Sequence, residues 1–288
     1  MNLCRAMLAK KLCREKRNYL SKISPLKSGK DKMDYVVIIG LGQLGRVFAA
    51  GLLRIGHVVI PVNRGDDLQR RSAEYPTPTL VLVAVAEKDL PSVLAQMPAP
   101  WKSRLGFLQN ELLPRDWLKY GIEYPTIVSV WFEKKKGMDA KPLIASPAFG
   151  PQAERLTTAL LALELPAVRL DTPHQLLWEL VRKNLYILTT NLAGLETQSN
   201  VSTLWQQHRV LAEAVAHDVL DLQEWLTGEI FERTALLSGM LAAFQADPEH
   251  TCAGRSAPAR LARALGYANQ AGLAVTTLRD LAARHLPS

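Results

Sequence analysis

The chain has 288 residues, enough for one large or two ordinary domains, and a formal net charge of +8. No apolar run reaches the ~18 residues a membrane-spanning helix needs. The charge does not point to a nucleic-acid binder, because it sits at one end. Residues 1–32 carry ten Lys/Arg against Glu15 and Asp31, and the remaining chain has basic and acidic residues in equal number. That remainder shows no basic stripe interleaved with aromatics, which a nucleic-acid binder would be expected to carry.

The basic segment lacks the long apolar stretch of a secretory signal. It reads as a disordered leader, an organellar transit-like peptide, or an extension upstream of a functional start at Met33. We take it as a dispensable leader, because Met33 stands just ahead of the first strand-like run. A basic amphipathic helix on a membrane surface is a lesser alternative. Cys4, Cys13 and Cys252 form no CxxC pair, and the six histidines form no HExxH-type pattern. Neither a disulfide framework nor a metal site is expected.

From Asp34 onward strand and helix patterns alternate. "YVVIIG" reads as a buried strand, "QLGRVFAAGLLRIG" as a helix ending at Gly56, and "HVVIPV" as a second strand. "LVLVAVA" (80–86) is a third strand, "KDLPSVLAQM" a short helix, and "RLGFLQ" (104–109) another strand. This rhythm predicts a parallel sheet with helices on both faces. Residues 125–149 read as a hairpin or sheet extension, followed by a helix in "GPQAERLTTALLALEL" and a last short strand, "PAVRL". Beyond Asp171 the periodicity is helical, over 173–197, 203–227, 229–246, 255–271 and 275–286. The expected architecture is an α/β Rossmann-type N-terminal domain (33–170) followed by an all-α C-terminal domain (171–288).

The stretch after the first strand carries the chemistry. Gly40, Gly42 and Gly45 fit G-x-G-x-x-G, with Gln43 and Leu44 opening the helix. The first glycine permits the tight turn, the second lets a pyrophosphate approach the backbone, and the third lets helix and strand pack closely. The motif is weak alone, but here it lies inside a complete βαβ unit. The second strand then ends in "VNRGDD". Asn63 and Arg64 occupy the place where an acidic residue would bind the ribose 2′-hydroxyl of NAD. A guanidinium there pairs with a 2′-phosphate, so NADP is favoured. Asp66 and Asp67 come late and read as a helix start.

With these features and an all-helical second half, the chain resembles the ketopantoate reductase (2-dehydropantoate 2-reductase) family over about 34–286. The best local match is "ELVRKNLYILTTNLAGL", Glu179 to Leu195, against the family's Glu-Leu-Trp-x-Lys with two later asparagines. Lys183 matches the family lysine, Ile187 replaces the first asparagine, and Asn191 matches the second. On a helix Lys183, Ile187, Thr190, Asn191 and Gly194 share one face. In "LGFLQNELL" Asn110 matches an asparagine near the nicotinamide, and Glu111 replaces the glycine that follows it. The resemblance implies NADPH-dependent reduction of a small 2-keto acid, as in ketopantoate to pantoate, in a cytoplasmic monomer or homodimer without metal. Lys183 would be the general acid, with Asn110 beside it.

The chain also departs from the family. Ala86 stands where a cofactor- or substrate-binding lysine is usual. Ser238-Gly239-Met240 keeps part of a Ser-Ser-Met-x-x-Asp signature but has Ala243 at the aspartate. Counting back from Gly272 places Ser256 at the glutamate that contacts the pantoate hydroxyl, after an apparent insertion around "ADPEHTC". Asn191, Ser238 and Ser256 are therefore the expected substrate residues, in a less polar pocket. Two alternatives remain: a non-enzymatic NADP-binding sensor or scaffold, and a reductase of another carbonyl compound, including the pyrroline-carboxylate and 3-hydroxyacid dehydrogenase types.

Overall fold

The structure, a computed structural model, describes residues 34–286. The expectations for the basic leader and for Met33 lie outside the described residues.

Among the described residues nine strands form, in chain order: β1 (Tyr35–Ile39), β2 (Val58–Val62), β3 (Leu80–Val83), β4 (Leu105–Phe107), β5 (Thr126–Val128), β6 (Phe132–Glu133), β7 (Lys141–Pro142), β8 (Ser146–Phe149) and β9 (Ala167–Arg169). Seven of them make one sheet in the order β2-β1-β3-β4-β5-β8-β9, parallel from β2 through β5, with β8 antiparallel to β5. The segment read as a hairpin or sheet extension supplies both: β8 extends the sheet, and β6 pairs with β7 in a separate antiparallel ribbon. Pro61 is tolerated because β2 is an edge strand, where a missing N–H leaves no ladder bond unmade.

Alternation along the strands separates the two faces. Val36, Ile38, Leu80 and Leu82 pack with α1 (Gln43–Arg54) and α6 (Ala153–Leu161). Val37, Ile39, Val81 and Val83 join a second cluster that continues into the helical half. The α1–α6 contact is close: a Cβ on Gly51 would lie 2.3 Å from the Ala159 carbonyl oxygen.

Between the strands run α2 (Leu68–Glu74), a 3₁₀ turn (Glu87–Asp89), α3 (Leu90–Ala95), α4 (Ala99–Lys102) and α5 (Pro114–Leu118). Asp67 caps α2, accepting from the Gln69 and Arg70 backbone N–H groups, so its late position in "VNRGDD" has a helix-starting use. The helical half comprises α7 (Pro173–Thr197), α8 (Val201–Gln207), α9 (Arg209–Thr227), α10 (Arg233–Ala246), α11 (Ala257–Ala271) and α12 (Thr276–His285). The single helix expected over 203–227 is two. His208 leaves helical geometry at φ −125°, ψ 32°, with neither glycine nor proline to announce the break.

Helix α7 organises this half. Thr172 and Gln175 form a capping box around Pro173 at its start. Its 25 residues bury side chains on both faces, from Val181 and Leu185 to Ile187 and Thr190. A helix enclosed in this way holds any polar residue it carries in a fixed place.

Candidate active site

The first part of the site is the glycine turn. It stands at the carboxyl end of β1, where β2 lies to one side and β3 to the other, the switch point at which open α/β sheets bind ligands. Gly40 adopts φ +94°, a left-handed conformation that favours glycine. A Cβ on Gly45 would stand 2.1 Å from the Gly40 carbonyl oxygen, so this position admits only glycine. A Cβ on Gly42 would meet nothing within 4 Å. Gly42 is the N-cap of α1 and brings no side-chain cap, which leaves the first-turn N–H groups pointing into open space. The turn is tight where it must pack and open where an anion would approach, and it fits a dinucleotide pyrophosphate.

Asn63 and Arg64 follow β2 and are exposed; Arg64 pairs with Asp89 at 3.1 Å. Asp66 accepts the Asn63 backbone N–H.

The second part of the site is a cavity of about 480 Å³ lined by residues from both halves of the chain, among them Leu44, Asn110, Lys183, Ile187, Asn191 and Arg260. Lys183 carries the most unusual electrostatics there. Its ammonium lies 3.9 Å from the centre of the Trp131 ring, a cation–π contact. Trp131 is fully buried, and its backbone N–H donates to Ser146 Oγ at 2.8 Å. Glu179, the helical neighbour one turn back, pairs instead with Arg182 at 2.6 Å. Among the described residues Lys183 makes no ion pair with a carboxylate. Burial first, then the charges of Arg182 and Arg260, lower its pKa from 10.5 to about 7.

Arg260, one turn into α11, is 8% exposed and was not singled out from the sequence. It donates to Glu111 (Nε, 2.5 Å), Asn191 (Nη1, 2.8 Å) and Glu87 (Nη2, 2.8 Å). Asn110 also bonds Glu87, whose carboxyl is raised above its ordinary range by burial, with Arg260 pulling the other way. The matched residues Asn110 and Asn191 are thus joined through Glu87 and Arg260. Glu111, at the position where the resembled family has glycine, keeps a glycine-like φ of +57°.

A second cavity, about 410 Å³, adjoins the first and shares Leu44, Asn110 and Arg260 with it. Its other lining includes Ala84–Lys88 after β3 and Ser256 at the N-cap of α11. The structure therefore places Ser256 on the crevice side of Arg260, away from the cavity that holds Lys183. Ser238 lines neither cavity. Helix α10 buries Leu236, Met240, Ala243 and Phe244, which turns Ser238 outward. Residues 247–254, which overlap the "ADPEHTC" run, form one wall of the lysine cavity, with Asp247, Glu249, His250, Thr251, Ala253 and Gly254. Sequence reasoning also missed Trp131 and Tyr186; the "VWFE" run carried only a strand signal. No group of His, Cys, Asp and Glu among the described residues is arranged to hold a metal ion, and no described helix is long and apolar enough to cross a membrane.

Comparison with known proteins adds the fold. No protein-family model matches the sequence, and no curated protein matches it. Solved structures do match. A PanE/ApbA-family ketopantoate reductase from Ralstonia eutropha superposes with a TM-score of 0.62 at 17% identity, covering 86% of this chain and 96% of that one. A dimeric ketopantoate reductase from Staphylococcus aureus gives 0.62 at 13%, covering 86% and 96%. D-mandelate dehydrogenase in complex with NADH gives 0.64 at 12%, covering 87% and 97%. The fold is therefore that of the ketopantoate reductases, a Rossmann-type sheet followed by a helical half, as the sequence resemblance implied. At these identities the likeness is one of fold.

Proposed function

We infer that this chain is a nicotinamide-dinucleotide-dependent reductase of a small 2-keto acid, with Lys183 as the proton donor. The observation that carries this is the enclosed Lys183 ammonium, free of a carboxylate partner, in a cavity that shares Leu44 and Asn110 with the crevice beyond the glycine turn.

Gly40, Gly42, Gln43, Leu44 and Gly45 would hold the cofactor pyrophosphate, with Asn63 and Arg64 at the adenosine end and Asn110 at the nicotinamide end. The exposed Arg64, with no carboxylate directly in its place, supports NADP(H) over NAD(H). When bound, the cofactor supplies the hydride. Lys183 does the rest of the charge work. A carbonyl oxygen gaining negative charge accepts a proton from its ammonium, and a donor with a pKa of about 7 is matched to neutral pH. The surrounding Val130, Phe132 and Ile187 exclude water and strengthen that interaction. Ile187 also makes the substrate wall less polar than the resembled family's, so apolar side chains are accepted beside ketopantoate. A homodimer, as in the Staphylococcus aureus protein, is the assembly this reading carries.

The test is fluorescence titration of the protein with NADPH and NADH, then absorbance at 340 nm with ketopantoate and a panel of 2-keto acids. Oxidation of NADPH by a panel member, lowered about 10²–10⁴-fold in Lys183→Ala with cofactor binding retained, is the expected result. Binding without turnover across the panel would favour a sensor or scaffold. Failure to bind either cofactor would end the reading.

A further inference from the structure

We propose that Arg260 is the residue that takes the carboxylate of the substrate, so that the lysine cavity selects 2-oxo acids over their neutral esters. The proposal rests on the reductase reading for its substrate class and on the following geometry for its residue.

Arg260 forms the partition between the two cavities, where a ligand in the lysine cavity meets the nicotinamide end of the crevice. The carbonyl and carboxylate of a 2-oxo acid are on adjacent carbons. Two cationic donors on one cavity lining suit that pair, and Lys183 and Arg260 provide them. An arginine suits the carboxylate because its planar fork donates two parallel hydrogen bonds. The apolar remainder of the ligand then faces Val130, Phe132, Leu143 and Ile187.

Arg260 already holds two carboxylates, and the arrangement of Arg263 shows how one can be released. Glu111 Oε1 accepts from both Arg260 Nε (2.5 Å) and Arg263 Nη2 (2.7 Å), and its Oε2 accepts from Arg263 Nε (3.2 Å). If Arg260 swings its Nε edge to a ligand, Arg263 keeps both Glu111 oxygens. No buried charge is left without a partner, the condition under which such a pair becomes costly to break. Glu87 remains on Arg260 Nη2 and anchors the guanidinium during the exchange. The charges agree as well. Glu87 and Glu111 balance Arg260 and Arg263, and Lys183, on the same cavity, makes no ion pair with a carboxylate among the described residues.

Two measurements on the full-length protein test this. The first is the ratio of kcat/KM for a 2-oxo acid to that for its methyl ester, in wild type, Arg260→Gln and Arg260→Lys. The acid is expected to lead by about 100-fold in wild type, the scale of one charge-assisted pair in a dry site. The lead should fall at least about tenfold in Arg260→Gln and less in Arg260→Lys, mainly through KM for the acid. Equal losses for acid and ester in Arg260→Gln, or no wild-type preference for the acid, would overturn the proposal. The second is calorimetric binding of oxamate, an unreactive 2-oxo acid mimic, in the presence of NADPH. Binding to wild type, weakened in Arg260→Lys, supports the assignment even if no panel substrate turns over. Equal binding to both proteins, or binding to neither, refutes it. Should Arg260→Gln not fold, Arg260→Lys, which keeps the charge and the helix, carries both tests.

Discussion

Lys183→Met should make the protein more stable at neutral pH and remove part of its stability rise in alkali. In the folded chain the Lys183 pKa is about 7, against 10.5 for an ordinary lysine. Between those pH values the unfolded state binds more protons than the folded state, so stability must rise with pH across that window. Below pH 7 the full penalty of holding the half-buried Lys183 as an ammonium is present. As pH rises it is progressively lost, and it vanishes near pH 10.5. At about 1.4 kcal/mol per tenfold change in the protonation equilibrium, the penalty is at most roughly 5 kcal/mol. The Trp131 contact that holds the cation offsets some of this; a desolvated cation–π pair is worth about 2 kcal/mol, and methionine keeps only its packing. A net gain of roughly 2–3 kcal/mol remains, or about 4–8 °C in Tm for a chain of this size. The assay is thermal unfolding of wild type and variant from pH 6 to 10. Cys252, raised by burial, contributes to each curve and cancels in the difference, while Tyr186, which lies against Lys183 and is also raised by burial, bears only on the alkaline end. Parallel Tm profiles, or a lower Tm for the methionine variant at pH 7, would refute the reasoning and return Lys183 to an ordinary surface-like lysine.

The same group sets the pH dependence of the reaction. Reduction needs Lys183 protonated, so kcat/KM should fall as pH rises through about 7; a profile flat from pH 6 to 9 would exclude Lys183 as the donor. The second and third glycines of the motif should part company on substitution. Gly42→Ala has room for its methyl and a permitted φ of −69°, so stability should change by less than about 1 kcal/mol while the fluorescence-detected Kd for NADPH rises at least about tenfold. Gly45→Ala places a methyl against the Gly40 carbonyl and should lower Tm sharply or prevent folding. Arg64→Ala, at an exposed site, should leave Tm within about 1 °C and cut the NADPH-to-NADH affinity ratio by about tenfold; an unchanged ratio would remove Arg64 from cofactor selection.

The elements that sequence periodicity located are those whose burial is local. The Val/Ile runs of β1 and β3 alternate between two clusters, and α7 follows from its apolar length and its Thr-Pro start. The glycine turn was legible for a related reason, because the tightest restriction on Gly45 is the Gly40 carbonyl inside the turn itself, while Ala84 and Val85, just past β3, restrict Gly40. What could not be read depends on distant partners. Nothing in "RSAPARLARALG" separates Arg260 from Arg263 or Arg255 as the one to be buried. Its two carboxylates lie 149 and 173 residues away in the chain. The aromatic plane under Lys183 comes from the loop after β5, and the break at His208 has no breaker residue.

The departures from the resembled family gain meaning only when placed together. Replacing a glycine with Glu111 keeps a left-handed backbone that costs about 1 kcal/mol in a non-glycine residue, a poor exchange if the side chain did nothing. Here that side chain bridges Arg260 and Arg263. Arg260 in turn fills the space between Asn191 and Glu87, while Ser256 in the glutamate position looks toward the crevice instead. Had Glu111 been glycine, Arg260 would keep only Glu87 as a carboxylate partner and would share it with Arg263. The glutamate and the arginine therefore make sense as a pair. A double-mutant cycle of Glu111→Gly with Arg260→Gln should show coupling of about 1–3 kcal/mol in unfolding free energy. Strict additivity would mean that Glu111 and Arg260 do not support each other in the fold and that Arg263 alone accounts for Glu111.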